Sequence, residues 1–402
     1  MKKLLSVLLI AVLLLSGCAS ETDRRVTINV YNWGQYISEG DDGCIDVIAE
    51  FEARYPNIKV NYVTFDSNET MYTKMAGGGI TVDVIIPSDY MVGRLASEGM
   101  LLPLNFDNIP NAQNIAPRFK NPTYDPENKY SVPYSWGTVG IIYNTKYVSE
   151  EDVTGWEILW NENAEGEQLD YAGKILMFDN SRDAFAIAQC RLGYSMNTTD
   201  EQELLECARL LEKQRPVVQQ YIMDQVFDLM ENEEAWIAPY YAGDYLTMSG
   251  ENEDLAFYLP GDQGFNLFVD AMCIPKCCEN KEAAETFINF LCDPEIAGGN
   301  MDWICYSTPL SEESGVKEFM ELDEEMEAIN YPSDEFLDKG TSYLPMPRET
   351  TRYVDNLFMR VRNGISLEGA PGSAMIWIIV AVAVLAGAAA LLLALKKKKK
   401  KK

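Results

Sequence analysis

The chain has 402 residues, with 33 basic side chains, 62 acidic ones and no histidine, for a formal charge of −29. Without histidine there can be no imidazole-ligated metal site, no Ser-His-Asp or Cys-His nucleophilic site and no imidazole pH switch. The length calls for two globular units rather than one core.

The chain opens with MKKLLSVLLIAVLLLSGC: two lysines, an apolar run, then small residues. That is the pattern of a signal peptide over residues 1–18. Its end, LSGC, resembles a bacterial lipobox and predicts lipidation of Cys18. VTINVYNW alternates as a strand and leads into the aromatic stretch YNWGQY. CIDVIAEFEARYP has helical spacing and stops before Pro56. IKVNYVTF is a strand, and SNETMYTKM opens a helix capped by Ser67 or Asn68. DVIIPS is a short apolar strand of the kind found inside parallel sheets, and MVGRLASEGML is an amphipathic helix.

A second α/β set follows YSVPYSWGTVGIIYN. It comprises the strand KILMFD, the helices DAFAIAQCRLGY and DEQELLECARLLEKQ, the strand end AWIAPYYAGDY and the strand LAFYLP. NLFVDAMCIP is a strand returning to the first unit, NKEAAETFINFLCDP a helix capped by Asn280, and TRYVDNLFMRVRN a closing helix. After the short linker at 367–373, the uncharged run at 374–395 is long enough to span a bilayer. The lysines at 396–402 place its far end in the cytoplasm by the positive-inside rule. With the leader and tail lysines set aside, residues 19–373 carry 24 basic against 62 acidic side chains, a balance of −38. This outward-facing surface repels nucleic acid and favours cationic ligands, with plain solubility in a salty exterior as the alternative cause of the acidic excess. The eight cysteines after Cys18 sit mostly in apolar contexts, as Cys190 does, and read as buried thiols. Cys273, Cys277 and Cys278 lack the paired knuckles of a zinc site, and no cofactor is expected.

Ligands of open α/β sheets bind beyond the carboxyl ends of strands. Collected there are Trp33, Gln35 and Tyr36; Ser88 and Tyr90; Asp179, Asn180, Arg182 and Asp183; Tyr240, Tyr241 and Asp244; Phe268 and Asp270; Trp303 and Tyr306. Aromatics dominate, with a few carboxylates and one arginine. Aromatic faces attract methylenes and cations, and carboxylates pair with ammonium groups, so the set suits a cationic alkyl amine. Trp33 taken alone is also explained as ordinary core, Asp183 and Asp179 by the start of a helix, and Asp244 by a turn. Asp270, inside an apolar strand, is costly without a partner.

The strings YNWGQYI, SNETMYTKM, DVIIPSDYMVGRLASEGML, YSVPYSWGTVGI, LGYSMNTTD, AGDY, NLFVDAMCIPK and INFLCDPEIA resemble those of the spermidine/putrescine-binding proteins of polyamine ABC transporters, from about Val26 to Asn363. The resemblance implies a two-lobed type II periplasmic-binding-protein fold with hinge crossovers, closing over its ligand. One lobe covers 26–133 and is completed by about 262–312; the other covers 134–261 and is completed by about 313–366. It also implies ligand contacts from Trp33, Tyr36, Ser88 and Tyr90. Arg182 and Asp183 form its arginine–acid pair, with Tyr241, Asp244, Phe268 and Tyr306 as further walls and Asp270 as the central carboxylate. Gln35 and Asn180 stand where the family places acids, which removes charge and favours a diamine over a triamine.

The reading is an extracytoplasmic, membrane-anchored receptor, monomeric, serving a permease and its ATPase and performing no covalent chemistry. A membrane-tethered amine sensor and the same fold binding another small cationic or polar solute are the alternatives. An enzyme using Asp183 and Asp270 as an acid/base pair would need one raised pKa and a tuned separation.

Overall fold

The computed structural model describes residues 25–368. The leader with Cys18, the run at 374–395 and the lysine tail lie outside the described residues. No helix among the described residues is long and apolar enough to cross a membrane.

Strand β1 (Val26–Trp33) buries Ile28 and Val30 by alternation. Helix α1 (Val47–Arg54) follows, its first turn closed by the Asp46 carboxylate accepting from Ala49 N–H. Strand β2 (Ile58–Phe65) lies parallel to β1. Helix α2 (Asn68–Ala76) is capped by Ser67, whose hydroxyl accepts from Thr70 N–H. The apolar run DVIIPS yields only the two-residue strand β3 (Val84–Ile85). Asp83 is diverted to accept the N–H groups of Glu279 and Asn280, and Pro87 has no N–H to pair. Helix α3 (Asp89–Ser97) comes next.

Strand β4 (Ser131–Asn144) is buried throughout its 14 residues, because it runs through both cores. It leads into β5 (Ile175–Phe178), α4 (Ser181–Leu192), α5 (Glu201–Gln214), β6 (Val218–Ile222), α6 (Gln225–Glu231), β7 (Ile237–Tyr241), α7 (Ala242–Glu251) and β8 (Leu255–Tyr258). Strand β9 (Phe265–Cys273) returns, followed by α8 (Lys281–Leu291), α9 (Pro294–Ile304), α10 (Glu324–Asn330), α11 (Asp334–Leu337), β10 (Gly340–Thr341) and α12 (Arg348–Arg362). Asn280 does not cap α8 with its side chain. Its amide donates to Thr27 O at 3.1 Å, and Asp83 takes its N–H.

The strand order is β2-β1-β3-β9-β4-β7-β5-β6, with β8 on β4 and β10 on β9. Two apolar cores form. The first holds Ile28, Phe51, Ile85 and Phe287; the second holds Ile141, Phe178, Ile237 and Leu357. The chain crosses between them three times: along β4 between Trp136 and Val139, along β9 between Phe265 and Phe268, and between Leu337 and Tyr343. Residues 313–337 run along the seam. Val316 and Leu337 pack in the first core, whereas Met326, Ile329 and Phe336 pack against the second. Each core is substantial in its own right: Phe51 alone meets Phe287 and Phe290 edge-on at 4.9 and 5.2 Å. Burying such a ring contributes about 1.5–3 kcal/mol. The crossings therefore join two lobes that each have a core of their own. All eight cysteines after Cys18 are free thiols.

Candidate ligand-binding site

The two strand crossings carry the centre of the site. On β9, Asp270 sits opposite Ser135 of β4 and forms a β-bridge with Ser88, the residue preceding α3. Its Oδ2 accepts the Tyr36 hydroxyl at 2.8 Å, while its Oδ1 is buried without a hydrogen-bond donor. The residue is 5% exposed, and burial pushes its pKa up to about 6, opposed by the neighbouring Ser88 and Tyr36 hydroxyls.

A closed circuit of side chains joins this carboxylate to the second lobe. The Tyr36 ring meets Tyr306 edge-on at 5.3 Å, and Tyr306 meets Phe268 at 6.2 Å. Phe268 meets Tyr241, at the end of β7, at 5.5 Å. The Tyr241 hydroxyl donates to Asp183 Oδ2 at 2.9 Å, and the Tyr343 hydroxyl donates to Asp183 Oδ1 at 2.7 Å. Tyr343 meets Tyr90 edge-on at 6.2 Å. The Asn68 amide then donates to the Tyr90 and Ser88 hydroxyls at 3.0 and 3.2 Å, which closes the circuit at Asp270. Glycines make room for the rings. A Cβ on Gly137 of β4 would stand 2.8 Å from Phe268, and one on Gly243 of α7 would stand 2.5 Å from Tyr306.

Asp183 opens α4 and is held by local chemistry. Asn180 caps the helix by accepting from Asp183 N–H, and its amide donates back to Asp183 Oδ2. With the two tyrosines, the carboxylate already receives three side-chain donors of the roughly four it can accommodate. Arg182 does not pair with Asp183. Its guanidinium lies over the Tyr343 ring at 4.5 Å and donates to Asn197 Oδ1 and Leu344 O, and its Nε is buried without a partner.

Asp244 lies in the first turn of α7 rather than in a turn, because Ala242 to Glu251 continues as a helix. Half-buried and facing the Tyr306 hydroxyl, it is pushed up to about 7 by burial, with the Asp224 charge adding to the shift. Tyr306 follows the end of α9, not a strand. Cys305 takes the left-handed conformation and redirects the chain, so that Ser307 bridges Trp136.

Of the remaining predicted residues, Tyr240 adjoins the circuit through the Tyr241 ring at 4.9 Å and the others stand apart from it. Trp33 tilts against Phe65 at 4.6 Å on the margin of the first core, with its indole N–H buried and unpartnered. Gln35 is exposed, and its left-handed backbone, φ 50°, turns Tyr36 inward. Asp179 pairs with Arg362, Tyr240 stacks on Phe178 in the second core, and Trp303 packs on the edge of the first. Asp89, beside Ser88, is fully buried with Oδ2 unpartnered, and burial pushes its pKa well up.

The site is therefore a wall of phenols with carboxylates at intervals and one arginine turned onto a ring. Tyr36, Tyr90, Tyr241, Tyr306 and Tyr343 all have pKa values raised by burial first, so they remain protonated donors. No group of His, Cys, Asp or Glu among the described residues could hold a metal ion. Such a wall is complementary to an ammonium on an alkyl chain. Sequence reasoning missed Tyr343, Gly137 and Gly243 and took Asn68 only as a possible cap. The one signal available was the position of Asn68 next to the predicted helix start.

The model of the bacterial extracellular solute-binding proteins matches residues 46–328. The spermidine/putrescine-binding periplasmic protein of Escherichia coli K12 is 32% identical over 298 residues, covering 74% of this chain and 81% of that protein. Among solved structures, the spermidine/putrescine ABC transporter substrate-binding protein PotD of Streptococcus pneumoniae is 34% identical with a TM-score of 0.71, covering 85% of this chain and 100% of that one. The TpPotD lipoprotein of Treponema pallidum is 26% identical with a TM-score of 0.73, covering 84% of this chain and 99% of that one.

Proposed function

This chain belongs to the bacterial extracellular solute-binding proteins, and we propose that it is the extracytoplasmic receptor of a polyamine ABC importer. It binds putrescine or spermidine between its lobes and hands the amine to a permease driven by an ATPase. It acts as a monomer and performs no covalent chemistry. It is tethered at the membrane by lipid on Cys18, by the run at 374–395, or by both.

One observation carries this reading. Asp270 keeps one carboxylate oxygen buried and without a donor in the middle of an aromatic circuit. A buried carboxylate without a cation is unstable, and an ammonium supplies both charge and donor. We assign one ligand ammonium to Asp270, and the other to the remaining acceptor position on Asp183. The chain between them runs along Phe268, Tyr241 and Tyr306, with Ser88, Tyr90 and Asp244 completing the walls. With Gln35 and Asn180 uncharged, the diamine is preferred.

A thermal-shift panel of putrescine, cadaverine, spermidine and spermine tests the assignment. A ligand that binds only the native state at a hundred times its Kd stabilises the protein by about 2.7 kcal/mol, so a cognate amine raises the melting point by several degrees. If none of the four raises it, the proposal fails.

A further inference from the structure

Tyr343 lies outside every predicted contact, on the third crossing between the lobes, just after β10. It is 4% exposed and meets two other members of the circuit and Arg182 at once. Its hydroxyl donates to Asp183 Oδ1 at 2.7 Å, its ring carries the Arg182 guanidinium at 4.5 Å, and Tyr90 meets it edge-on at 6.2 Å. The first two partners belong to the second lobe, whereas Tyr90 sits on α3 of the first. A second contact ties the same segment to α3: a Cβ on Gly93 would stand 2.6 Å from Pro345. Asn197 holds the segment from the other side, accepting from Leu344 N–H at 2.8 Å and donating to Ser342 O at 2.9 Å.

We propose that Tyr343 is a positioning residue that fixes the Asp183 carboxylate for a ligand ammonium and ties that carboxylate to the first lobe through Tyr90. The inference rests on the amine-binding reading above. Two physical points support it. Burial beside the Asp183 charge holds the phenol protonated, so it serves Asp183 as a constant donor. The arginine on its ring face polarises the phenol and strengthens that donation, which explains why Arg182 is spent on a ring rather than on the neighbouring acid. The arrangement is complete only when α3 meets the 343–345 segment, so Asp183 is best aimed in the closed form.

The test is a double-mutant cycle of Tyr343→Phe with Asp183→Asn, read by putrescine and spermidine titration. Phenylalanine keeps the ring contacts and removes only the donor, and unliganded melting confirms that the variant is folded. Removing a hydrogen bond to a charged group lowers amine affinity roughly tenfold in the Asp183 background. The loss lies in a faster dissociation rate, because closure holds the ligand. In the Asp183→Asn background the same change costs less than about twofold. Arg182→Gln, which leaves the hydroxyl in place, gives a smaller loss that is likewise absent in the Asp183→Asn background.

Unchanged affinity in Tyr343→Phe, or an equal loss with and without the Asp183 carboxylate, overturns the inference while leaving the amine reading intact. Failure of the unmutated protein to bind either amine overturns the reading beneath it.

Discussion

Asp270→Asn separates a carboxylate kept for a ligand from one kept for stability. Burial raises this aspartate from its ordinary value of 3.8 to about 6, and at about 1.36 kcal/mol per unit its charge costs the folded, unliganded protein about 3 kcal/mol. An acid whose folded pKa lies above its unfolded one contributes stability that is full below the unfolded value. That stability is lost as pH rises through the folded value. The penalty is therefore complete at pH 8 and nearly absent at pH 4. Asparagine keeps an oxygen to accept the Tyr36 hydroxyl and places an uncharged amide where Oδ1 lies unpartnered, at a cost of about 1 kcal/mol. The unliganded variant is thus about 2 kcal/mol more stable than the native protein at pH 8, with no gain at pH 4.5. Its affinity for putrescine falls by about 1.5–3 kcal/mol, because a charge-assisted bond is gone. Urea denaturation at the two pH values and isothermal titration calorimetry measure the two effects. Destabilisation at pH 8, or an affinity within twofold of native, would refute the assignment of Asp270.

Amine binding should strengthen with pH. Asp270 and Asp244 rest at about 6 and about 7 without ligand, and an ammonium favours their charged forms. Affinity then rises from pH 5 to about 8 and levels off, with proton release at pH 6; calorimetry in buffers of different ionisation enthalpy measures the protons, and a flat profile contradicts the prediction. Gly243→Ala drives a methyl into the Tyr306 ring, 2.5 Å away, and should cost about 1–3 kcal/mol in stability together with most of the amine affinity. Urea midpoints and titration read both. Gln35→Glu restores an acid at an exposed position, so it should shift selectivity toward spermidine over putrescine by up to about 1 kcal/mol in competition titrations. An unchanged ratio removes the charge-count case for diamine preference.

The fold was legible where one residue type answered to one environment. The alternation in VTINVYNW gives β1 residue for residue, since one face of the strand lies in a core, and IKVNYVTF gives β2 with the same bounds. It was less legible where tertiary contacts override local pattern. DVIIPS shortens to two paired residues because Asp83 serves the start of α8, and the cap expected of Asn280 is supplied from there as well. The site divides in the same way. Asp270 announces itself as a charge inside an apolar strand, Tyr36 as an aromatic just beyond the end of β1, and Phe268 as an aromatic in the strand that returns to the first lobe. Tyr343 is silent in sequence, because its role depends on three partners between 90 and 183 that the last crossing brings together.

The unequal wiring of the two principal carboxylates bears on how a ligand would be held. Asp183 is surrounded by donors before any amine arrives, so an ammonium adds one bond to a charge already well stabilised. Asp270 has an open oxygen and a raised pKa, so an ammonium relieves a standing penalty there. On the proposed assignment, most of the charge-derived affinity would arise at Asp270, on a strand that belongs to both lobes, whereas Asp183 would supply length and orientation. On the same proposal, a strand shared by both lobes is also the element that would bend as they close. A ligand that stabilises the Asp270 charge in the closed form, where water is excluded from it, biases the hinge directly. Ligand-driven closure thus needs no separate relay at the Asp270 end, while the Asp183 end depends on the phenol that reaches it across the third crossing.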